Sequence, residues 1–153
     1  MDVYRVLKLI RFWPPYLGAG IYIRSFEKPL NQIVVGMKLN RRNTNYVGTH
    51  FGGNLYSMCD PWFMFILMHH LGADYTVWDK AASIDFIRPG RGEVTAAFHI
   101  DERTIENIRS QADRGQKVLP EFVVNIVDEG GDIVARVVKT LYVRKKQLSG
   151  DHG

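Results

Sequence analysis

Between Gly53 and Leu71 the chain reads GNLYSMCDPWFMFILMHHL, and apolar residues fall on every side of any helix built from it. Leu55, Met58, Trp62, Phe63, Phe65, Ile66 and Leu67 leave no wet face, so such a helix has to be buried all round. Segments rich in β-branched and aromatic residues lie on both sides of it: 20–28 and 31–40 before, then 75–87, 92–100, 120–129 and 131–145 after. Sheet that both precedes and follows one buried helix must wrap around it. The expected class is therefore α+β, a curved antiparallel β-sheet around one long central hydrophobic helix.

Two further helices are expected outside that frame. Val3, Val6, Leu7 and Ile10 share one face of a short N-terminal helix, which Pro14-Pro15 is expected to end. The polar run 101–116 places Ile105, Ile108 and Ala112 on one inner face, with Asp101 as N-cap. The polar link 28–32 suits a hairpin between the first two strands, and RPGRG and EGGD mark later turns. Pro61 removes a backbone donor inside the central helix and is expected to kink it. The expected organisation is an N-terminal helical extension over 1–19, one domain over 20–146 and a flexible tail over 147–153.

Composition narrows the functional classes. One cysteine, Cys59, excludes an intrachain disulfide framework and suits a reducing cytosol. Arg5, Lys8 and Arg11 break up the N-terminal apolar residues, so no signal-peptide core survives there. The longest apolar stretch, Trp62–Leu71, is well short of the roughly 20 residues that span a bilayer. A cytoplasmic protein without a membrane or nucleic-acid partner is the expectation. The net charge of +4 is spread out, with clusters only at 41–42 and 144–146, and no nucleic-acid-binding motif accompanies it. His69 and His70 do not suggest a metal site, because adjacent helical residues point about 100° apart and no acid or cysteine completes a ligand set.

The stretch GTHFGGNLYSMCDPWF at 48–63 resembles the hot-dog-fold thioesterases, particularly the phenylacetate-pathway acyl-CoA thioesterase branch. In that branch a histidine-glycine-glycine turn opens the central helix, and a catalytic acid follows seven residues after the second glycine. Gly52, Gly53 and Asp60 keep that spacing, whereas Phe51 stands where the family has histidine and His50 is one step earlier. SIDFIRPGRGE at 83–93 is similar to the strand and turn that follow the helix in this superfamily. The resemblance spans roughly residues 20–145. It implies hydrolysis of an acyl-CoA or acyl-carrier thioester without a cofactor, by a homo-oligomer that is a dimer or a dimer of dimers.

The residues can be given roles on that footing. Free N–H groups at Gly52 and Gly53 would stabilise the negative charge that develops on a thioester carbonyl; their alternative is a tight turn or close packing. Along one helix Gly52 and Asp60 would stand roughly 10–12 Å apart, too far for one carbonyl to touch both. The dimers of the family solve this by placing the acid of one chain at the helix start of the other. Asp60, expected to be desolvated, would then be general base or nucleophile, or else simply cap the helix restarting at Pro61. Asn45 is the nearest candidate for an asparagine that some members use, and Thr44 lies beside it. Thr49, His50 and Ser83 are candidates for substrate contacts, Ser83 being preferred on the expectation that it faces away from Asp85. Arg88 and Arg91 suit the phosphates of coenzyme A. Tyr56, Trp62 and Phe63 fit core better than acyl pocket, and Cys59 has no evident base. A non-catalytic acyl-binding protein and a hydratase or dehydratase are the rival readings.

Overall fold

The structure, a computed structural model, describes residues 2–147; of the expected tail, 148–153 lie outside the described residues. Six strands form one antiparallel sheet: β1 (Ile21–Phe26), β2 (Gln32–Lys38), β3 (Tyr75–Phe86), β4 (Glu93–His99), β5 (Glu121–Val127) and β6 (Ile133–Lys145). Their order across the sheet is β1-β2-β4-β5-β6-β3, so the longest early strand, β3, closes one edge. All six lie inside the segments expected from composition. Sheet wrapped round a buried helix is the hot-dog architecture that the resemblance implies.

The helix itself departs from expectation. It is not one long element but two, α3 (Gly52–Ser57) and α4 (Trp62–Leu71), separated by four residues. Pro61 has no N–H to continue the α3 ladder, and instead its carbonyl accepts from Phe65 N at 2.9 Å, which starts α4. Trp62, Phe63, Ile66 and Leu67 are fully buried. The Trp62 indole donates to Met58 O at 2.7 Å across the break, and Phe63 packs on Phe98 and Phe122 with ring centroids 5.2 and 4.8 Å away. Trp62 and Phe63 are thus core, and their burial leaves the break between α3 and α4 held rather than loose.

At the N-terminus α1 (Val3–Leu9) ends in a single 3-10 turn, Ile10–Phe12. Pro14 and Pro15 then open α2 (Pro14–Ala19) rather than ending a helix. Proline's fixed φ and missing N–H suit a first helical turn, where that N–H has no partner anyway. Leu7, Ile10, Tyr16 and Ala19 join the main core, so the extension is packed as part of it. The last helix, α5 (Glu102–Asp113), buries Ile105, Ile108 and Ala112, and the Asp101 carboxylate accepts from Thr104 N at 2.7 Å, as an N-cap should.

Two local features of the sheet set up the site. Along β6 the buried residues alternate: Ala135, Val137, Lys139, Leu141 and Val143 face the helices. On β3 a bulge at Lys80 interrupts the register, since Asp79 pairs with Leu141 but Ala81 with Thr140. The extra residue switches which side chains face inward. Asp79 lies opposite inward Leu141, whereas Ser83 and Asp85 lie opposite Val138 and Arg136 on the outer face. The expectation that Ser83 and Asp85 point to opposite sides is corrected; residues two apart on a strand share a face.

Candidate active site

Asp60 stands in the break between α3 and α4. It does not cap α4, whose N-cap is Pro61 with no side-chain hydrogen bond. Nor is it desolvated in the single chain, where its side chain is 55% exposed. Its partner comes from across the core. Lys139, on the inner face of β6 and 0% exposed, donates to Asp60 O at 2.9 Å and to Asp60 Oδ1 at 3.2 Å. The ammonium also forms an ion pair with Asp79 Oδ2 at 3.0 Å. Three oxygens from two acidic residues thus surround the buried Lys139 cation.

The charges of this cluster are interdependent. Burial pulls the Lys139 ammonium toward neutrality, but the hydrogen bond and charge of Asp79, with the charge of Asp60, outweigh it and raise its pKa above the ordinary value. Asp79 is displaced upward as well: burial is the main cause, Lys139 opposes it, and Asp60 adds to it. The buried acid of the pair is therefore Asp79, whose side chain is only 22% exposed, not the one in the family position. Cys59 beside them is fully buried, and that burial pushes its thiol upward, away from the nucleophilic thiolate.

Asp60 and Asp79 together line a cavity of about 1070 Å³ whose other walls are mostly apolar. Met64 and Phe65 of α4 line it, as do Val6, Leu9, Ile10 and Phe12 of α1 and the 3-10 turn. A carboxylate fixed at the edge of an apolar cavity, with a buried cation behind it, is a place where a polar reacting group can meet an apolar substrate body.

The other expected site residues gather elsewhere. Neither Gly52 nor Gly53 lines that cavity. They open α3 beside Phe86, whose ring carbons would lie 3.1 Å from a Cβ at Gly52, so close packing alone already favours glycine there. Asn45 is fully engaged in its own loop: its Oδ1 accepts from Val47 N and Thr49 N, and its Nδ2 donates to Thr49 Oγ1 and His50 O. Thr49 is buried under it. His50 is 3% exposed, and its Nε2–H donates to Gly92 O at 2.9 Å. Arg88 bridges to Asp132 at 2.8 Å and steadies the β5–β6 turn, while Arg91 is exposed in the adjacent loop. Ser83 is on the outer face of edge strand β3, away from Asp60. The chain thus carries two separate clusters, one around Asp60 and one around the start of α3.

His50 has a consequence for stability. Its Nδ1 is buried without a hydrogen-bond partner among the described residues, and burial lowers its pKa against a smaller opposing effect from Gly92 O. A depressed folded-state pKa means that the unfolded chain takes the proton first. The contribution of His50 is therefore complete above the unfolded value of about 6.5 and lost as pH falls through the folded one. Urea midpoints at pH 7.5 and pH 5 should fall further in the wild type than in His50→Gln. Equal falls would remove His50 as the cause.

Lys139 and Asp79 escaped the sequence reading. The first had a usable signal, because counting by twos from Val137 to Leu141 puts Lys139 on the buried face, where a cation needs a partner. Asp79 had none, since its inward position depends on the bulge.

Comparison with known proteins comes to the same fold. Residues 5–143 match a family described as a domain of unknown function, DUF4442. No curated protein sequence matches significantly. Among solved structures, PA5026 of Pseudomonas aeruginosa, described as a protein of unknown function and probable thioesterase, is 18% identical with a TM-score of 0.84, over 95% of this chain and 97% of that one. The thioesterase HI1161 of Haemophilus influenzae is 17% identical with a TM-score of 0.68, over 100% and 96%. The PaaI protein of the Escherichia coli phenylacetic acid degradation operon is 20% identical with a TM-score of 0.63, over 95% and 94%. At these identities the likeness shows the fold.

Proposed function

The chain belongs to the DUF4442 family, and from that premise we propose that it hydrolyses acyl-CoA-type thioesters, with Asp60 as the group that acts on the thioester carbon. The observation that carries this reading is the Asp60 carboxylate held by buried Lys139 at the edge of a large apolar cavity. The structural relatives described as thioesterases support the same chemistry.

In the water route, Asp60 removes a proton from water as the water oxygen bonds to the carbonyl carbon. The carbon–sulfur bond then breaks, and the leaving thiolate takes that proton, which balances acid and thiol as products. Direct attack by Asp60, followed by hydrolysis of the resulting anhydride, uses the same groups.

The second half of the site would come from another copy. Strand β3 is a twelve-residue edge strand with most of its residues exposed, and an open edge is a template for pairing with a further strand. Pairing of two β3 edges would bring two α3 starts near two Asp60 cavities, with Gly52 and Gly53 as oxyanion donors. The loop of Asn45, Thr49 and His50 would brace that turn, and Arg88 and Arg91 would stand where a coenzyme A phosphate can reach them.

The test is thiol release from short-, medium-, long-chain and aromatic acyl-CoAs by wild type beside Asp60→Asn. Hydrolysis by wild type that collapses in the variant supports the reading. Turnover that ignores the substitution sinks Asp60, and no turnover of any substrate leaves an acyl-binding protein without catalysis.

A further inference from the structure

A second cavity, of about 570 Å³, adjoins the one beside Asp60, and Asp2, Val6 and Phe65 stand in the walls of both. On α4 with its two caps, Pro61, Met64 and Phe65 line the first cavity, and Phe65, Met68, His69 and Gly72 the second. These positions are spaced by threes and ones, so they form a single stripe down one side of the helix. From Pro61 to Gly72 that stripe runs for roughly 16 Å.

The flanking elements keep pace with the stripe. Asp2, Arg5, Val6 and Leu9, again spaced by threes and ones, bring one side of α1 to the first cavity, and Val3 and Tyr4 reach the second. On β3, Asp79 lines the first cavity while Tyr75 and Val77 line the second. The result is one elongated groove along α4, with Val6 and Phe65 at its middle and the Asp60–Lys139 pair at one end. Its rim keeps large apolar side chains in water: Leu9 is 54% exposed and Met68 42%. An apolar occupant would remove that exposure. At the far end the polar side chains bond to the protein itself. Lys146 donates to Ala73 O at 2.7 Å, and His69 meets the Tyr4 hydroxyl at 3.4 Å.

Resting on the acyl-thioester reading of the same site, we infer that this groove holds a straight long-chain acyl group. The thioester lies at Asp60, and the chain end lies past Val6 and Phe65, beside Met68 and Val77. A linear occupant follows from the shape, which has a reactive end and largely apolar walls that follow one helix for its full length. The first cavity alone, at about 1070 Å³, already matches the largest pockets that enclose a drug-sized ligand. A short or aromatic acyl group would fill part of that cavity and leave the second one wet. Val6 and Phe65 are then specificity-determining residues, because a long chain has to pass them and a short one does not.

The probes are S-alkyl coenzyme A thioethers with butyl, octyl, dodecyl and hexadecyl chains, and calorimetry reads their binding. They have no carbonyl to be hydrolysed, and unlike free fatty acids they bring no carboxylate against Asp60. Wild-type affinity should rise by up to about fourfold for each added methylene, the value of one fully buried CH₂. It should still be rising between octyl and hexadecyl; a plateau from octyl onward overturns the inference. Val6→Trp fills the middle of the groove, so hexadecyl should bind that variant no tighter than octyl does. Met68→Glu puts a charge at a 42% exposed position in the second half. It should weaken hexadecyl at least about tenfold more than butyl, since the long chain alone would desolvate the carboxylate. Equal weakening of the two overturns the path along α4, even where Val6→Trp fails to fold. Wild-type binding no tighter than that of coenzyme A itself, whatever the chain, would mean that another occupant fills the groove, a second copy of this chain included, and overturns the inference. A series that tightens as expected while no acyl-CoA is hydrolysed overturns the thioesterase chemistry alone and supports a long-chain acyl site.

Discussion

Asp60→Asn is expected to lower kcat on acyl-CoA thioesters at least about a hundredfold, the lower end of what a positioned base or acid contributes. The substitution preserves shape and keeps an oxygen for Lys139, so the two hydrogen bonds at Asp60 can survive in modified form. What disappears is the negative charge that takes a proton or attacks carbon. Because the loss is one of chemistry rather than binding, KM should change little, and the variant should retain its oligomeric state and its urea midpoint. Activity within about threefold of wild type would mean that another group performs the step; a drop of that size is too small for a removed base.

Lys139→Met is expected to cost about 3–5 kcal/mol of stability, the range for breaking a buried ion pair by removing one partner. The lower figure is favoured, because Asp60 is 55% exposed and regains water once released. The methionine fills a similar volume, so the loss is electrostatic: Asp79 is left buried with no cation and Asp60 beside it. The direction with pH follows. Without Lys139, the effect that held the pKa of Asp79 down is gone, and the folded state holds a proton more tightly than the unfolded chain. Stability of the variant should therefore decline as pH rises, and the deficit should shrink toward acid pH. Lys139→Met combined with Asp79→Asn should recover much of the loss, since replacing a buried pair as a whole is far milder than halving it. Urea denaturation of the three proteins at pH 5 and pH 8 reads all of this. A wild-type midpoint in Lys139→Met at pH 8 would show that the buried Lys139 cluster contributes nothing to the fold.

Apolar pattern carried the fold reading a long way. The residues at Trp62, Phe63, Ile66 and Leu67 demand burial on all sides wherever the chain goes, and alternating β-branched residues placed every strand of the sheet. Local chemistry was harder at the prolines. Pro14-Pro15 and Pro61 each stop one helix and suit the first turn of the next, and the sequence signal for stopping and starting is the same residue. The glycine spacing drew attention to Asp60, which lines the large cavity, while Asn45 and His50 hold their own loops together.

From sequence alone, then, came the class of fold, the order of its elements and the position of Asp60, because hydrophobic periodicity and turn residues act over a few neighbours and can be counted along the chain. Only the tertiary structure decided the company Asp60 keeps. Lys139 and Asp79 lie 79 and 19 positions away from it in sequence, and they meet it through strand pairing across β3 and β6 and a one-residue bulge at Lys80. Register is settled by the packing of the whole sheet against the helices. A slip of one residue would turn Lys139 outward to water and leave Asp60 an ordinary surface acid.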